Sequence, residues 1–248
     1  MQITILLRTL LSRFLLLLLS IVYAPFIIIA LMLPKAWVLN SRFYFRLAQF
    51  FYWAIIKISF LPITFEGEEN IPDEPVIFVA NHQSSFDIPL LGSLVGAHPH
   101  VWFALKDLMK SPVLRFLLPQ FSVMVDMSTP MTGMRSLLEI IKLLANRPHH
   151  CMVFPEGGRF TDGSVHDFYS GFAILAKKLG RPVVPVYIHN AQKVYPPNVF
   201  LIHNYPVKVI VGKPFVMQEH ETEQEFKDRV YAWFCEQVDQ EKIETKSE

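Results

Sequence analysis

Residues 75–87 read PVIFVANHQSSFD, an apolar run that passes directly into a polar segment. A short run of β-branched and aromatic residues without polar alternation is typical of a strand that is buried on both faces. His82 and Asp87 lie just beyond the end of that strand. Because ligands in open α/β sheets bind beyond the carboxyl ends of the strands, the stretch predicts a buried sheet with a site at its edge.

Similar apolar runs recur through the body of the chain and alternate with helical patterns. An apolar stripe of helical period over 134–144 and a capping box at Thr222 and Glu225 indicate two of the helices. This alternation predicts an α/β fold with a mixed, largely parallel sheet flanked by helices. The strand candidates are 63–67, 75–80, 100–105, 122–126, 150–155, 182–188 and 207–212.

The first 61 residues differ from the rest in charge and in hydropathy. They carry six basic residues and no acidic one, whereas the remainder is net acidic. Residues 14–33 are uncharged throughout, and as a helix they would span about 30 Å, the hydrocarbon thickness of a bilayer. We therefore predict a membrane-binding helical segment at 1–61, an α/β domain at 62–240 and a flexible tail at 241–248.

The N-terminal segment leaves alternatives open. Ala24 offers a cleavage site for a signal peptide, but the apolar run continues beyond it and Pro25 would be the first mature residue, which favours a retained anchor. Pro25 is expected to kink the helix, and basic residues flank the run on both sides, so a spanning and a re-entrant helix are both compatible. Residues 43–61 are rich in aromatics and fit an interfacial amphipathic helix better than a core helix.

The composition gives no support to nucleic-acid binding, to metal binding or to cysteine chemistry. The net charge is +1 and the basic residues are interleaved with apolar runs, so no nucleic-acid partner is indicated. The histidine pairs at 98–100 and 149–150 lack the spacing of metal-ligand motifs, so no metal is expected. Cys151 and Cys235 form no C-x-x-C pair and are interpreted as idle thiols in a reducing compartment.

Two polar segments carry residues suited to chemistry. Imidazole accepts a proton near neutral pH and a carboxylate supports the charge that develops, so His82 and Asp87 are a candidate base and its partner. The alternative is a capping Asp87 beside a loop histidine, and the spacing alone does not exclude it. In FPEGGR at 154–159, the glycines let the backbone approach a ligand and Arg159 offers a planar fork for phosphate.

Four motifs occur in a fixed order: NHQSSFD, ALKDL at 104–108, FPEGGR, and VVPVYI at 183–188. From about Phe65 to Lys213 they resemble the glycerolipid acyltransferase family, which includes the lysophosphatidic acid acyltransferases. The resemblance implies a membrane-bound enzyme that moves a fatty acyl group from acyl-CoA or acyl carrier protein to the hydroxyl of a lysophospholipid, without metal or other cofactor. It also implies membrane lipids as partners and a place on the cytoplasmic face of a membrane, here expected to be a bacterial inner membrane.

The resemblance assigns roles to particular residues. His82 would be the general base and Asp87 its partner. Because the sequence has no G-x-S-x-G elbow, direct attack by the substrate hydroxyl is favoured over an acyl-enzyme. The substrate-binding residues would be Lys106, Glu156, Gly157, Gly158 and Arg159 for the acceptor, and Val184 and Pro185 on the acyl-donor side.

Two positions depart from the family pattern. Met127 stands where the second motif has an arginine, and Tyr169 stands where a lysine follows E-G-x-R. A phosphate monoester carries close to two charges, so these losses favour a less anionic acceptor such as a lysophosphodiester or a lyso-aminolipid, unless Arg135 supplies the missing charge. Glycerol-3-phosphate, another lyso-amphiphile and a non-catalytic lipid-binding role are the alternatives, and the intact His82–Asp87 pair argues against the last.

Overall fold

All seven predicted strands are present in one sheet. A computed structural model describes residues 2–196 and 199–247. Within them the strand ends differ from the predicted ones by no more than two residues. The strands are β1 (Ile63–Glu66), β2 (Ile77–Ala80), β3 (His100–Leu105), β4 (Ser122–Val125), β5 (His150–Val153), β6 (Val183–His189) and β7 (Val207–Val211).

Helices precede the sheet and alternate with its strands. Two short 3-10 turns, at Glu68–Asn70 and Lys106–Lys110, lie among them. The helices are α1 (Gln2–Met32), α2 (Lys35–Asn40), α3 (Arg42–Ile58), α4 (Asp87–Leu94), α5 (Pro112–Phe121), α6 (Pro130–Leu144), α7 (Gly171–Leu179), α8 (Ala191–Val194) and α9 (Glu223–Ser247).

The strand order places the two polar segments side by side. The order is β1-β7-β6-β2-β5-β3-β4, and every neighbouring pair is parallel except β6 and β7. The predicted mixed, largely parallel sheet is therefore confirmed. Val79 of β2 is in register with Val153 of β5 and with Pro185 of β6. NHQSSFD and FPEGGR consequently leave adjacent strands at the same edge, about 5 Å apart.

Burial on both faces explains why the central strands are uniformly apolar. In β2, Ile77 and Val79 belong to a cluster covered by α6, α7 and α9. Phe78 and Ala80 belong to a second cluster on the opposite face, which α3, α4 and α8 cover. All four side chains are fully buried, and burial of a large one stabilises the fold by about 1.5–3 kcal/mol. The core therefore fixes the strand from which the polar turn emerges.

α1 is attached to the rest of the protein in its first half and near its C-terminal end. Arg13 binds the hydroxyl of Tyr195, and its guanidinium lies over that ring, 4.8 Å from the centroid. The side-chain amide of Gln120 in α5 donates to the carbonyl of Ala30 at 2.6 Å. Over Ile3–Met32 the helix is long and apolar enough to cross a membrane. Its exposed apolar side chains include Ile3, Leu7, Leu17, Val22 and Met32.

The other N-terminal predictions are borne out in part. α1 stays helical through Pro25, where the sequence predicts a kink. α3 is amphipathic as predicted, since Arg46 and Lys57 are exposed whereas Phe45 and Ala54 are buried. Whether α3 lies at a membrane interface stays a prediction.

The predicted start of the tail lies inside a helix. α9 continues past residue 240 as far as Ser247. Glu241, the first residue of the predicted tail, is bound by the Tyr187 hydroxyl and by the His189 ring, both on β6. This residue is therefore held against the sheet, and flexibility of the rest of the tail stays a prediction. Glu248 lies outside the described residues.

A buried polar network joins α3 to β3. The Trp102 indole N–H donates to the Tyr52 hydroxyl at 3.0 Å, and that hydroxyl donates to Nε2 of His100 at 3.2 Å. Nδ1 of His100 donates to the carbonyl of His98 at 2.9 Å. Burial lowers the pKa of His100 to about 4 and raises the pKa of Tyr52 to about 12. Both groups are therefore neutral at pH 7.

Acid should destabilise the fold through its buried histidines. Burial also lowers the pKa of His150 to about 4, and Nδ1 of this residue accepts the Val76 N–H at 3.1 Å. An unfolded histidine takes up its proton near pH 6.5, so stability falls as the pH drops from there towards 4, by about 2 kcal/mol per buried histidine at pH 5. The variant His150→Asn keeps an acceptor and cannot titrate. Its melting temperature in detergent should fall less than that of the wild type between about pH 7.5 and about pH 5.

The control is His220→Asn, which replaces an exposed histidine and should follow the wild type. A pH dependence of His150→Asn as steep as that of the wild type would show that protonation of His150 does not destabilise the fold.

Candidate active site

Asp87 holds together the turn between β2 and α4. It is the first residue of α4 and is fully buried. Its Oδ2 accepts the N–H of Gln83 at 2.6 Å, the N–H of Ser84 at 2.7 Å and Nδ1 of His82 at 2.8 Å. One oxygen therefore both binds the amides of the turn and orients the His82 ring, whereas no side chain in the described part of the protein caps the first turn of α4.

The His82 ring has the tautomer and the orientation of a general base. A carboxylate can only accept, so Nδ1 carries the ring proton and the lone pair lies on Nε2. Phe154 stacks on the ring with the centroids 4.0 Å apart and the planes 12° from parallel. The His82 side chain is 12% exposed. No sequence pattern marks Phe154 for this role, although it is the first residue of FPEGGR.

Two further side chains of the turn tie it to neighbouring segments. Asn81 exchanges hydrogen bonds of 2.7 and 2.9 Å with the backbone of Ile188 in β6. The Ser84 hydroxyl donates to the backbone carbonyl of Tyr195 at 2.8 Å. Since the hydroxyl of Tyr195 binds Arg13, the turn is joined both to the sheet and to α1.

Glu156 is buried and is bound by two backbone amides. It is 5% exposed, and its two oxygens accept the backbone N–H of His82 at 2.8 Å and of His166 at 3.0 Å. Burial raises the pKa of Glu156 to about 7, although both amides favour the ionised form. Contact of Glu156 with the acceptor stays a prediction.

Gly157 occupies a position that only glycine fits well. Its φ is +66°, and a Cβ added there would lie 2.7 Å from the ring of Tyr169. Gly158 has an ordinary φ, and its Cβ would lie 3.3 Å from the ring of Phe160. The tight turn after Glu156 therefore depends mainly on the first glycine.

Arg159 joins the second polar segment to the first. Its Nε donates to Nε2 of His82 at 3.3 Å, and its Nη1 donates to the Ser85 hydroxyl at 3.0 Å. Both Arg159 and Ser85 are exposed. The structure thus brings together His82, Asp87, Glu156, Gly157 and Arg159 of the predicted set, with Gly158 between the last two.

Lys106 lies at the same edge of the sheet but forms its ion pair outside the two polar segments. It follows β3, which β5 separates from β2. Its Nζ binds Asp126 at 2.9 Å, and this hydrogen bond raises the pKa of Lys106. Hydrogen bonds from Ser128 and Lys106 hold the pKa of Asp126 below its ordinary value. A role of Lys106 in acceptor binding stays a prediction.

Val184 and Pro185 are buried inside β6. Val184 packs in the cluster beneath α4, and Pro185 pairs with Val79 of β2. A role of these two residues on the acyl-donor side stays a prediction. Among residues 2–196 and 199–247, no group of three His, Cys, Asp or Glu residues is placed to hold a metal ion.

The residues that depart from the family pattern are open to solvent. Met127, just after β4, is 42% exposed, and Tyr169, beside Gly157, is 55% exposed. Arg135 on α6 is also exposed. No lysine, and no arginine other than Arg159 itself, takes part in the described side-chain hydrogen bonds of His82 and Arg159.

Comparison with known proteins gives consistent similarities. The acyltransferase family model matches residues 62–189. A chloroplastic 1-acyl-sn-glycerol-3-phosphate acyltransferase of Brassica napus is 31% identical over 170 residues, which are 65% of this chain and 48% of that protein. The Pseudomonas aeruginosa 1-acyl-sn-glycerol-3-phosphate acyltransferase is 25% identical over 192 residues, 76% of this chain and 73% of that protein. The chain thus spans about half the length of the Brassica napus relative.

A solved structure is similar over almost the whole chain. The crystal structure of the 1-acyl-sn-glycerophosphate acyltransferase PlsC from Thermotoga maritima superposes with a TM-score of 0.75 at 28% identity. The match covers 97% of this chain and 98% of that one. It therefore includes the N-terminal helices as well as the sheet.

Gly157→Ala should destabilise the protein more than Gly158→Ala. A side chain at residue 157 is strained by the positive φ and meets the Tyr169 ring, so we expect a loss of about 1–3 kcal/mol. Gly158→Ala is the matched control and should cost about 1 kcal/mol or less, because its φ is ordinary and its contact is looser. Melting temperatures of both variants in detergent measure the difference. Equal losses would show that the turn does not impose the positive φ.

Proposed function

The chain belongs to the acyltransferase family, and on that basis we propose that it transfers a fatty acyl group from a thioester to the hydroxyl of a lysophospholipid. The names of its relatives make 1-acylglycerol-3-phosphate the first acceptor to consider. The His82–Asp87 pair carries this proposal, because its 2.8 Å bond leaves the lone pair of Nε2 directed at the place where Arg159 offers a phosphate-binding group.

The proposed reaction begins with proton transfer. Nε2 of His82 takes the proton of the acceptor hydroxyl as that oxygen bonds to the carbonyl carbon of the thioester. Asp87 stabilises the imidazolium that forms. The tetrahedral intermediate then breaks its carbon–sulfur bond, and the sulfur leaves as a thiol with the proton from His82. The amides of Gln83 and Ser84 already bind Asp87, so the oxyanion takes its donors from elsewhere.

Direct attack by the acceptor agrees with the state of the cysteines. Burial raises the pKa of Cys151 to about 12, so this thiol stays protonated and is a poor nucleophile. Cys235 is half-buried on α9. We propose no metal and no further cofactor, because a histidine base and a thioester supply all that the transfer needs. Acyl-CoA or acyl carrier protein is then a co-substrate.

A specific observation supports a second acceptor class. Met127 and Tyr169 replace two cations of the family pattern, and a monoester needs more positive charge than a diester. Lysophosphatidylethanolamine or a lyso-aminolipid is therefore the second candidate. Glycerol-3-phosphate stays an alternative, whereas a purely lipid-binding role does not explain why the base and its partner are both kept in bonding geometry.

An apolar cavity offers room for an acyl chain. It measures about 240 Å³ and lies between the N-terminal helices and β3. Trp102 lines it and stacks on Phe154 with the centroids 5.9 Å apart. Since Phe154 also stacks on His82, a row of stacked rings joins the base to the wall of the cavity.

We also propose that α1 lies within one leaflet of a membrane. The attachments at Arg13 and Ala30 are separated by about 25 Å of helix. A helix that is tied to one domain at two points so far apart cannot cross a bilayer between them while that domain stays on one side. Acyl-CoA and acyl carrier protein are cytoplasmic thioesters, so the domain belongs on the cytoplasmic face. The Pseudomonas aeruginosa and Thermotoga maritima relatives favour a bacterial inner membrane.

An acceptor panel tests the proposed activity. The purified protein is supplied with acyl-CoA or acyl carrier protein thioester and with lysophosphatidic acid, lysophosphatidylethanolamine, glycerol-3-phosphate or monoacylglycerol. We expect turnover of at least one lysophospholipid, and a fall in kcat of about 10²–10⁴-fold in His82→Ala, because the general base is lost.

His166→Ala, which removes a half-buried histidine near the same loop and keeps its backbone N–H, is the control and should stay close to the wild type. Absence of turnover with every acceptor, or undiminished turnover by His82→Ala, would contradict the proposal. Strong preference for lysophosphatidic acid over the diester would show that Met127 and Tyr169 do not weaken binding of a monoester.

Epitope tags test the placement of α1. With one tag before residue 1 and another after residue 248, both should be cut together by protease in sealed inside-out vesicles of expressing cells. Protection of the N-terminal tag alone would show that α1 spans the bilayer. A control with a known spanning helix fused before residue 1 should protect its own N-terminal tag.

A further inference from the structure

The guanidinium of Arg159 is hydrogen-bonded to Nε2 of His82, the nitrogen that accepts the proton in the proposed reaction. Its Nε lies 3.3 Å from Nε2 of His82. Arginine is always protonated and only donates, so the lone pair of Nε2 is the acceptor of this bond. Phe154 covers one face of the ring and Asp87 binds Nδ1. A substrate hydroxyl can therefore form its bond to Nε2 only after Arg159 has moved.

No anionic group of the described residues holds Arg159 over the ring. Its two side-chain bonds are to neutral acceptors, Nε2 of His82 and the hydroxyl of Ser85. The side chain is exposed and is therefore free to take another rotamer. Phosphate oxygens form shorter, charge-assisted and often bidentate bonds with a guanidinium. A phosphate group that reaches this edge of the sheet consequently competes well with both neutral acceptors.

We infer that Arg159 covers the proton-accepting nitrogen of His82 in the free enzyme, and that the phosphate group of the acceptor draws Arg159 away and uncovers the base. The inference rests on the proposed function and deepens it. Arg159 then selects the acceptor through kcat as well as through KM. A lysolipid without a phosphate group can bind through its acyl chain, but Arg159 then still covers Nε2 of His82.

Chemical modification of His82 tests the covered state without acyl transfer. Diethyl pyrocarbonate reacts with the unprotonated ring nitrogen of histidine, so its rate at His82 reports whether Nε2 is open. The full chain in detergent is treated with and without inorganic phosphate, and modification is followed by peptide mass spectrometry, with the exposed His220 as internal reference. Arg159→Ala should raise the rate at His82 about three- to tenfold, as expected for loss of one hydrogen bond.

Inorganic phosphate should raise the rate at His82 in the wild type and leave the rate in Arg159→Ala unchanged. The control is Arg115→Ala, which removes an exposed arginine of α5 and should react as the wild type does, with and without phosphate. Equal rates at His82 in the wild type and in Arg159→Ala overturn the inference. So does protection of wild-type His82 by phosphate.

Monoacylglycerol, which lacks the phosphate, separates uncovering from binding in the acyl-transfer assay. Arg159→Ala should raise kcat/KM for monoacylglycerol severalfold while lowering it for lysophosphatidic acid. An unchanged or lower kcat/KM for monoacylglycerol would mean that Arg159 only binds the phosphate, and this overturns the inference. If the wild type acylates no lysolipid, the proposed function fails, and the modification rates still decide whether Arg159 covers His82.

Discussion

The buried carboxylate of Asp87 is the constraint on which the site depends. Burying a carboxylate without donors costs several kcal/mol, so the chain around it must supply them. Two backbone amides and the His82 ring converge on one oxygen, and this convergence sets both the path of the turn and the tautomer of the imidazole. The geometry of the His82–Asp87 pair thus follows from the need to supply hydrogen-bond donors to a carboxylate that is buried at the start of α4.

The sheet then turns two separate segments into one unit. Because β2 and β5 are neighbours, the backbone of His82 bonds to the second segment in both directions. Its N–H donates to Glu156 at 2.8 Å, and its carbonyl accepts the N–H of Phe160 at 2.9 Å. Neither segment can shift without the other, so the distance between the base and Arg159 is fixed by backbone bonds except for the rotamers of the arginine itself.

The features that could be predicted from the sequence are those that depend on local patterns of residues. The strands follow from short apolar runs, and a site at their carboxyl ends follows from the polar segments after two of them. The burial of Glu156 and the contact of Arg159 with His82 depend on strand order, which is set by packing between residues far apart in the chain. For the same reason the sequence could indicate an apolar α1 but not its attachment through Arg13.

A chain of contacts runs from Arg13 of α1 through Tyr195 to Ser84, which lies in the turn that carries His82. This link uses a few partly buried polar bonds, whereas the sheet is held by a large buried core. Solubilisation in detergent is therefore expected to lower activity before it unfolds the protein. A detergent that loosens α1 can release the turn while the sheet stays intact, so a preparation that is inactive in one detergent and active again in a lipid nanodisc need never have unfolded.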